Sequence, residues 1–224
     1  MMAKAGTTIA TRAHRAAFPS RLAALALLVL LVSMLGACID LPRESTPPRY
    51  WLLSPIEGAP SAEAPTRTLS VGPIDVPGYL AGLGIVRRSG AHELGVSDFD
   101  RWGDSLAEQF TRVLTRNVAV LTPGTATSAY PWRGPEAPDL QLAVVVTRFE
   151  TDPSGTVSLD ARWTLTDLAE RAIVAQHDAQ VSEPVGGAGA GAGAGTDALV
   201  AAMSRAFNAL SRQIAAGLGE AAGS

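Results

Sequence analysis

The sequence contains a single cysteine, Cys38, and the residues before it decide what its thiol can do. Cys38 follows Leu35-Gly36-Ala37, which in turn ends an apolar run from Leu22 to Val32. A thiol can be oxidised, bind a metal or be acylated. One Cys excludes an intramolecular disulfide and a zinc site built from four cysteines. The chemistry of Cys38 therefore depends on the kind of segment that precedes it.

Residues 1–37 have the composition of a secretory signal peptide. They contain four basic residues and no acidic residue, and their apolar run of 11 residues, Leu22 to Val32, is followed by small residues. This run is shorter than the roughly 20 apolar residues of a membrane span. Leu35-Gly36-Ala37-Cys38 resembles the bacterial lipobox, in which the Cys is diacylated and becomes the new N-terminus after cleavage. A plain signal peptide, or a short membrane anchor with an incidental Cys, is the alternative.

We expect residues 1–37 to be cleaved and Cys38 to be lipidated. Two or three acyl chains anchor a protein stably, whereas one chain gives marginal binding. Ile39 follows the Cys, so the Asp that commonly retains such lipoproteins in the inner membrane is absent there, although Asp40 comes next. The sequence therefore predicts a lipid anchor on the periplasmic face of the outer membrane.

The remaining residues offer little catalytic chemistry. The sequence has no Gly-x-Ser-x-Gly elbow, no His-Glu-x-x-His helix and no Walker loop. His92 and His177 each adjoin an acidic residue, Glu93 and Asp178 respectively. Adjacent strand residues point to opposite faces, so neither pair converges on one site. The sequence predicts no catalytic residue, no cofactor and no metal site.

Two further groups of residues could bind a ligand. Arg87-Arg88 could bind the phosphate of a lipid headgroup, with a solvated sheet edge as the alternative. Trp102, Trp132 and Trp163 could stack on a ligand. Trp102 and Trp163 fall on apolar faces, however, which favours packing in the core.

Alternating apolar residues predict a sheet. Three segments between residues 140 and 181 alternate and are joined by short turns, which predicts an antiparallel meander. The first of them is apolar on both sides, which favours a central strand. A strand at 69–77 carries Pro73 and Pro77, so we expect it to be an edge strand or to contain a bulge. A first strand is expected at 50–54 and a hairpin around Ser89-Gly90.

Two segments have the period of amphipathic helices. The first runs from Asp100, with Asp98 or Asp100 as its cap, and ends before Pro123-Gly124. The second begins at Thr196-Asp197. Its apolar face comprises Leu199, Met203, Phe207, Leu210, Ile214 and Leu218. The pattern leaves open whether both helices cover the same face of the sheet.

These elements predict an α+β fold, a two-layer sandwich in which a mainly antiparallel sheet is packed by two amphipathic helices. We expect a flexible tether at 38–49 and a single domain at 50–220. The glycine-alanine segment 186–195 is expected to be a flexible loop within that domain, with a short silk-like sheet as the alternative.

Charge argues against nucleic acid as a partner. The 224 residues include 18 basic and 21 acidic residues, which leaves no excess of positive charge to neutralise phosphates. Removal of residues 1–37 leaves 14 basic against 21 acidic residues, a formal net charge of −7. Such a chain would not adhere to anionic headgroups through its net charge, so we expect attachment to depend on the acyl chains.

Short motifs follow one another through nearly the whole chain after Cys38. They are Tyr50-Trp51-Leu52-Leu53-Ser54-Pro55, Val71-Gly72-Pro73-Ile74-Asp75-Val76-Pro77-Gly78-Tyr79-Leu80, Ile85-Val86-Arg87-Arg88, Arg101-Trp102-Gly103-Asp104-Ser105-Leu106, Tyr130-Pro131-Trp132, Arg148-Phe149, Ala161-Arg162-Trp163 and Leu199-Val200-Ala201-Ala202. With the lipobox at Cys38, and in this order, they resemble the PqiC-like family of ABC-type transport auxiliary lipoproteins.

The resemblance implies a non-catalytic lipoprotein of a transport system built on MCE-domain proteins, which move phospholipid or other hydrophobic molecules between the inner and outer membranes. The implied partners are an MCE-domain protein, the ABC and permease components of the same system, and further copies of the chain in a homo-oligomer. The expected edge strand near Pro73 and Pro77 is one place where a neighbouring copy could bind.

Two other functions remain open at this point. A stand-alone periplasmic lipid-binding carrier would need a deep apolar cavity between the sheet and the helices. A lipid-anchored hydrolase is disfavoured because the sequence lacks a recognisable arrangement of nucleophile and His.

Overall fold

The computed structural model describes residues 21–36, 47–186 and 195–222. The chain divides into two units, Met1–Ser45 and Thr46–Ser224. In the first unit the apolar run forms helix α1, Arg21–Gly36. Among the described residues, no helix is both long and apolar enough to cross a membrane. Cys38, most of the expected tether and glycine-alanine residues 187–194 lie outside the described residues.

The second unit combines one mixed sheet with two long helices. Its helices are α2 (Leu106–Leu121) and α3 (Thr196–Ala222), and a single 3-10 turn covers Gly78–Leu80. Its strands in the described residues are β1 (Arg49–Trp51), β2 (Arg67–Asp75), β3 (Gly84–Arg88), β4 (Leu94–Trp102), β5 (Thr125–Ala129), β6 (Leu140–Thr151), β7 (Thr156–Asp167) and β8 (Ala172–Pro184).

The predicted meander is confirmed and contains the longest ladders of the sheet. β6 pairs antiparallel with β7, and β7 pairs antiparallel with β8. The turn between β6 and β7 is closed by Asp152, whose Oδ1 accepts hydrogen bonds from the N–H groups of Ser154 and Thr156 at 2.9 Å each. Along β7, buried residues alternate with polar ones, and Val157 is the first of the residues that face the core.

The other edge of β6 is shared by two strands, and the sheet divides there into two arms. β2 pairs parallel with the first half of β6 and carries β5 on its far side. β3 meets β6 through one residue pair, Arg87 with Thr151, and is followed outward by β4 and then β1. The fold is therefore the predicted α+β sandwich, with parallel pairings in its two arms.

Strand β2 lies between β6 and β5 only as far as Val71, whereas Ile74 and Asp75 pair with β6 alone, and the alternative expectation, a bulge, is confirmed. The register shifts between Val71 and Ile74. Gly72 has φ +120°, and a Cβ there would lie 2.9 Å from Cβ of Tyr130, so only glycine fits. Because β5 pairs with β2 only as far as Val71, the suggested contact of a neighbouring copy near Pro73 and Pro77 stays a prediction.

Both helices cover the same face of the sheet, which the sequence pattern left open. Phe110 of α2 stacks on Phe207 of α3, with ring centroids 4.4 Å apart and an interplanar angle of 8°. Phe110 also meets Phe149 of β6 edge-on at 5.1 Å. The predicted apolar face of α3 is confirmed, since all six of its residues are buried.

The predicted start of the first amphipathic helix is wrong. Helix α2 begins at Leu106, and its cap is Ser105, whose Oγ accepts from the N–H of Glu108 at 3.2 Å and donates to the Glu108 carboxylate at 2.8 Å. Ser105-x-x-Glu108 has the sequence spacing of a capping box, but the backbone N–H of Ser105 donates to Oδ1 of Asp104. Asp98 and Asp100 lie in β4, and Trp102 is buried as the last residue of that strand.

The expectation that β6 is a central strand is confirmed, since it pairs with β7 on one side and with β2 and β3 on the other, but only one of its faces is covered. Leu142 and Val144 face the core, but Val145 between Val144 and Val146 is 46% exposed, because the helices cover only one face. A register shift between Val146 and Arg148 reverses the alternation and turns Phe149 inward. Strand β5, made of small and polar residues, was not predicted.

Close packing of α3 on the sheet gives a first prediction. Gly217→Ala is expected to lower the free energy of unfolding by about 2 kcal/mol, because its Cβ would overlap the buried indole of Trp163. Gly219→Ala is the matched control. A Cβ there meets nothing within 4 Å, and alanine favours a helix over glycine by about 1 kcal/mol. Urea denaturation of both variants measures the difference, and equal stabilities would contradict this packing.

Candidate functional site

Cys38 itself lies outside the described residues, so the structure defines the candidate site from the residues that follow it. We call residues 49–56 the anchor-proximal segment. Their first part is strand β1 and the remainder is extended chain without a strand partner. How this segment is held determines how anything attached at Cys38 would be joined to the fold.

Asp100 of β4 holds the first part of the anchor-proximal segment. Its Oδ1 accepts from Nε of Arg49 and from Nε1 of Trp51, both at 3.0 Å, and its Oδ2 accepts from Oγ1 of Thr196 at 2.8 Å. Burial alone would raise the pKa of Asp100, but the hydrogen bonds from Thr196 and Trp51 and the charge of Arg49 lower it below its usual value. The ionised Asp100 therefore joins β1, β4 and the first turn of α3.

Beyond Trp51, helix side chains replace the missing strand partner. The N–H of Leu53 donates to Oε1 of Gln109 at 2.9 Å. The N–H of Ser54 donates to Oγ of Ser204 at 3.1 Å, and that of Ile56 to Oδ1 of Asn117 at 2.8 Å. Since Gln109 and Asn117 belong to α2 and Ser204 to α3, the segment is bonded to both helices.

The helix side chains that receive these bonds are themselves buried and paired. Asn117 is fully buried, and its Nδ2 donates to Oδ1 of Asn208 at 2.8 Å and to Oγ of Ser211 at 2.9 Å. Asn208 in turn donates to the carbonyl of Ser54 at 3.2 Å. Buried polar groups are costly unless they are hydrogen-bonded, so this network stabilises one position of the segment.

Sequence reasoning missed this network, although a signal for it was present. Gln109 and Asn117 interrupt the apolar face of α2, beside Phe110 and Val118. A polar residue at a core position of an amphipathic helix needs a buried partner. The partner here is backbone distant in sequence, which no local pattern identifies.

A second buried network holds the β3 arm of the sheet. The carboxylate of Glu150 is completely buried, and its Oε1 lies 2.6 Å from Nε of Arg88 and 3.3 Å from Nε of Arg148. Burial, and then the charge of Glu150, raises the pKa of nearby Tyr79 to about 12. Arg87 donates to Oγ1 of Thr196 at 3.1 Å. Both residues of Arg87-Arg88 thus bond within the protein.

The structure separates the other residues that the sequence singled out. His177 packs against buried Trp163, with ring centroids 4.8 Å apart, whereas His92 is exposed in the turn between β3 and β4. Trp102 is buried as expected, and Trp132 is partly exposed. Within the described residues, no group of three or more His, Cys, Asp or Glu side chains could hold a metal ion.

The hydrogen bonds of Gln109 give the second prediction. Gln109→Ala is expected to lower the free energy of unfolding by about 2–4 kcal/mol, since it leaves the buried N–H of Leu53 without an acceptor and opens a cavity. Gln213→Ala, at an exposed position of α3, is the control and is expected to stay within about 0.5 kcal/mol of the wild type. Chemical denaturation measures both, and similar stabilities for the two variants would mean that the segment is not held through Gln109.

Comparison with solved structures identifies the same fold elsewhere. One crystal structure of an uncharacterised protein matches with a TM-score of 0.63 and 21% identity, covering 77% of this chain and 99% of its own. Protein XCC0632 from Xanthomonas campestris, of family DUF330, matches with a TM-score of 0.59 and 18% identity, covering 75% of this chain and 92% of its own. No curated protein matches by sequence.

The sequence also matches a family model, that of the ABC-type transport auxiliary lipoprotein component, over residues 50–215. This range runs from within β1 to within α3. It includes the anchor-proximal segment from residue 50 onward and both buried networks. The match confirms the resemblance drawn from the ordered motifs. A lipoprotein family implies a membrane-anchored, periplasmic location. The chain belongs to the family of ABC-type transport auxiliary lipoprotein components.

Proposed function

We propose that the protein is a non-catalytic auxiliary lipoprotein, anchored through acylated Cys38 to the periplasmic face of the outer membrane. There it serves an MCE-domain protein and the ABC and permease components of one transport system for phospholipid or other hydrophobic molecules. The observation that carries the proposal is the position of the family match, which begins at residue 50, twelve residues after the only Cys.

The anchor-proximal segment supports an anchoring role for Cys38. A chain terminus usually frays unless its backbone is tied down. Here the residues that follow the proposed anchor pair with β4 and donate to side chains of α2 and α3. An acyl chain on Cys38 would therefore be linked to a segment whose backbone, from Arg49 onward, is bonded to the core of the fold.

The interior favours an auxiliary subunit over a stand-alone lipid carrier. A carrier needs an apolar cavity between its layers. The space between α2, α3 and β6 is occupied by the stacked rings of Phe110 and Phe207 and by Phe149, all fully buried. The partners are thus expected to bind at the surface, and further copies of the chain are proposed among them.

The separation of the two histidines argues against a hydrolase. His177 lies on β8 against Trp163, and His92 lies in the turn before β4. A nucleophile needs a base within hydrogen-bonding distance, and such a base must in turn be oriented by a third group. Neither His has a side-chain hydrogen bond with a Ser, Thr or carboxylate in the described part of the chain.

Lipidation gives the third prediction. The wild type is expected to incorporate labelled palmitate and to sediment with outer-membrane fractions on a sucrose gradient, while Cys38→Ser takes up no label and leaves the membrane. Ser45→Cys added to Cys38→Ser is the matched control, since it restores a thiol outside the lipobox and should restore nothing. Ile39→Asp is expected to move the protein towards the inner membrane. Wild-type protein found with the inner membrane would contradict the outer-membrane assignment.

Partnership gives the fourth prediction. Affinity capture of the tagged, lipidated protein from detergent-solubilised membranes is expected to co-purify an MCE-domain protein encoded beside it, identified by mass spectrometry. An unrelated outer-membrane lipoprotein with the same tag serves as the control. If no MCE or ABC component is enriched over that control, the proposed partnership is wrong.

A further inference from the structure

Exposed apolar side chains cluster at the end of the sheet where the anchor-proximal segment joins it. We call Tyr50, Leu83, Val96 and Phe99 the aromatic patch; they are 62%, 41%, 61% and 48% exposed. Single exposed apolar residues are ordinary, but several together at one place indicate an interaction surface. The patch belongs to the β3–β4–β1 arm, and none of its residues takes part in the two buried networks.

The pairing of the strands places these side chains on the face opposite the helices. Asp100 points towards α3, since it accepts a hydrogen bond from Thr196. Its neighbours Phe99 and Arg101 therefore point the other way, because successive strand residues alternate. Arg101 pairs with Tyr50 in β1 and with Gly84 in β3, and paired residues share a face.

Gly84 explains how the remaining members reach this face. A Cβ at Gly84 would collide with Val96, so the Val96 side chain lies over the space that the glycine leaves open. Leu83 precedes Gly84, and its carbonyl accepts from the N–H of Trp102 at 2.6 Å, which fixes it beside the end of β4. Tyr50 and Val96 therefore share the face of Arg101, and Leu83 lies at the end of the same strand pair.

Charge at the patch suits a lipid headgroup region. Arg101 is exposed and makes no salt bridge within the described residues. Arg49, which pairs with Asp100 and forms an ion pair with it at 2.8 Å, lies on the other face, so Arg101 is the basic residue of the patch. Tyrosine combines an apolar ring with a polar hydroxyl, and arginine binds phosphate, so both favour the boundary between headgroups and acyl chains.

The short chain between the patch and Cys38 favours the bilayer as the surface that the patch contacts. Eleven residues lead from Cys38 to Arg49, and a fully extended chain of that length reaches at most about 40 Å. The segment enters the fold at the patch itself, through Tyr50. A bilayer that holds the acyl chains of Cys38 is thus within covalent reach of this surface.

We propose that the aromatic patch rests on the headgroup region of the bilayer in which Cys38 is anchored, and so orients the domain on the membrane. This inference depends on the proposed lipidation of Cys38. The acyl chains supply the affinity. The patch supplies a preferred face, with its side chains about 5–10 Å into the interface.

The test measures which face of the lipidated full chain meets the lipid. Val96→Cys carries a fluorophore, and the protein is reconstituted in phosphatidylethanolamine–phosphatidylglycerol vesicles that contain lipids with a nitroxide in the headgroup region. Acylated Cys38 is not available to the label. A fluorophore at Gln213→Cys, exposed on α3, is the reference. Quenching at residue 96 is expected to exceed that at residue 213 roughly threefold, since an interfacial side chain lies within the headgroup layer.

A pair of double variants isolates the contribution of the patch. Tyr50→Ser with Phe99→Ser is expected to remove most of the difference in quenching. Ile173→Ser with Val174→Ser, which changes two comparably exposed apolar residues of β8, is expected to leave it unchanged. Circular dichroism verifies that both variants fold.

Three results would overturn the inference. Equal quenching at residues 96 and 213 would show that the domain has no preferred face. Shielding at residue 96 that follows protein concentration instead of lipid would assign the patch to a second copy of the chain. A mass spectrum without acyl groups on Cys38 would overturn the proposed function as well. Normal acylation with equal quenching overturns only the orientation.

Discussion

Backbone N–H groups cannot be buried without acceptors, and this requirement organises the N-terminal side of the fold. The chain after β1 leaves the sheet and crosses the two helices, where no neighbouring strand is available. Gln109, Asn117 and Ser204 supply the acceptors that a strand would have provided. Because these side chains come from both helices, the segment also fixes how α2 and α3 lie against each other, and it seats Leu53 in the core.

A second constraint operates where the sheet divides. β3 joins β6 through a single pair of residues, which is too little to hold an arm of three strands by itself. The buried carboxylate of Glu150, between Arg88 and Arg148, adds charged hydrogen bonds at that junction. Removing one partner of a buried ion pair typically lowers the free energy of unfolding by about 3–5 kcal/mol, because the other charge is left buried and unpaired. Only the Arg88–Glu150 pair crosses from β3 to β6, since Arg148 lies on β6 itself, so the arm that carries β1 depends at this junction on Arg88 and Glu150.

Periodic elements were predictable from the sequence, and elements set by distant contacts were not. Helix α3 and strand β7 follow their apolar patterns closely, because each buries one regular face. The first turn of α2 was misplaced because Trp102 is buried at the same spacing whether it ends a strand or begins a helix. The capping-box spacing of Ser105 and Glu108 was the better signal.

The remaining errors have the same origin. The apolar side chain of Val145 does not indicate a covered face, because coverage depends on which side of the sheet the helices occupy. Strand β5 carries small and polar residues and exists because β2 offers it a backbone partner. The anchor-proximal segment is held by hydrogen bonds between backbone near residue 54 and side chains near residues 109 and 204. Lipidation of Cys38 stays a prediction. Local patterns contain no information on such long-range pairing.

The hydrogen bonds of the anchor-proximal segment also affect whether this end of the domain unfolds locally. Chain ends normally exchange and fray with little free energy, as independent local units. Residues 53–56 cannot separate from the fold without exposing Asn117 and Ser211, which are fully buried between α2 and α3. We therefore expect this end of the domain to unfold together with the helical core, so that whatever is tethered to it stays attached as long as that core is folded.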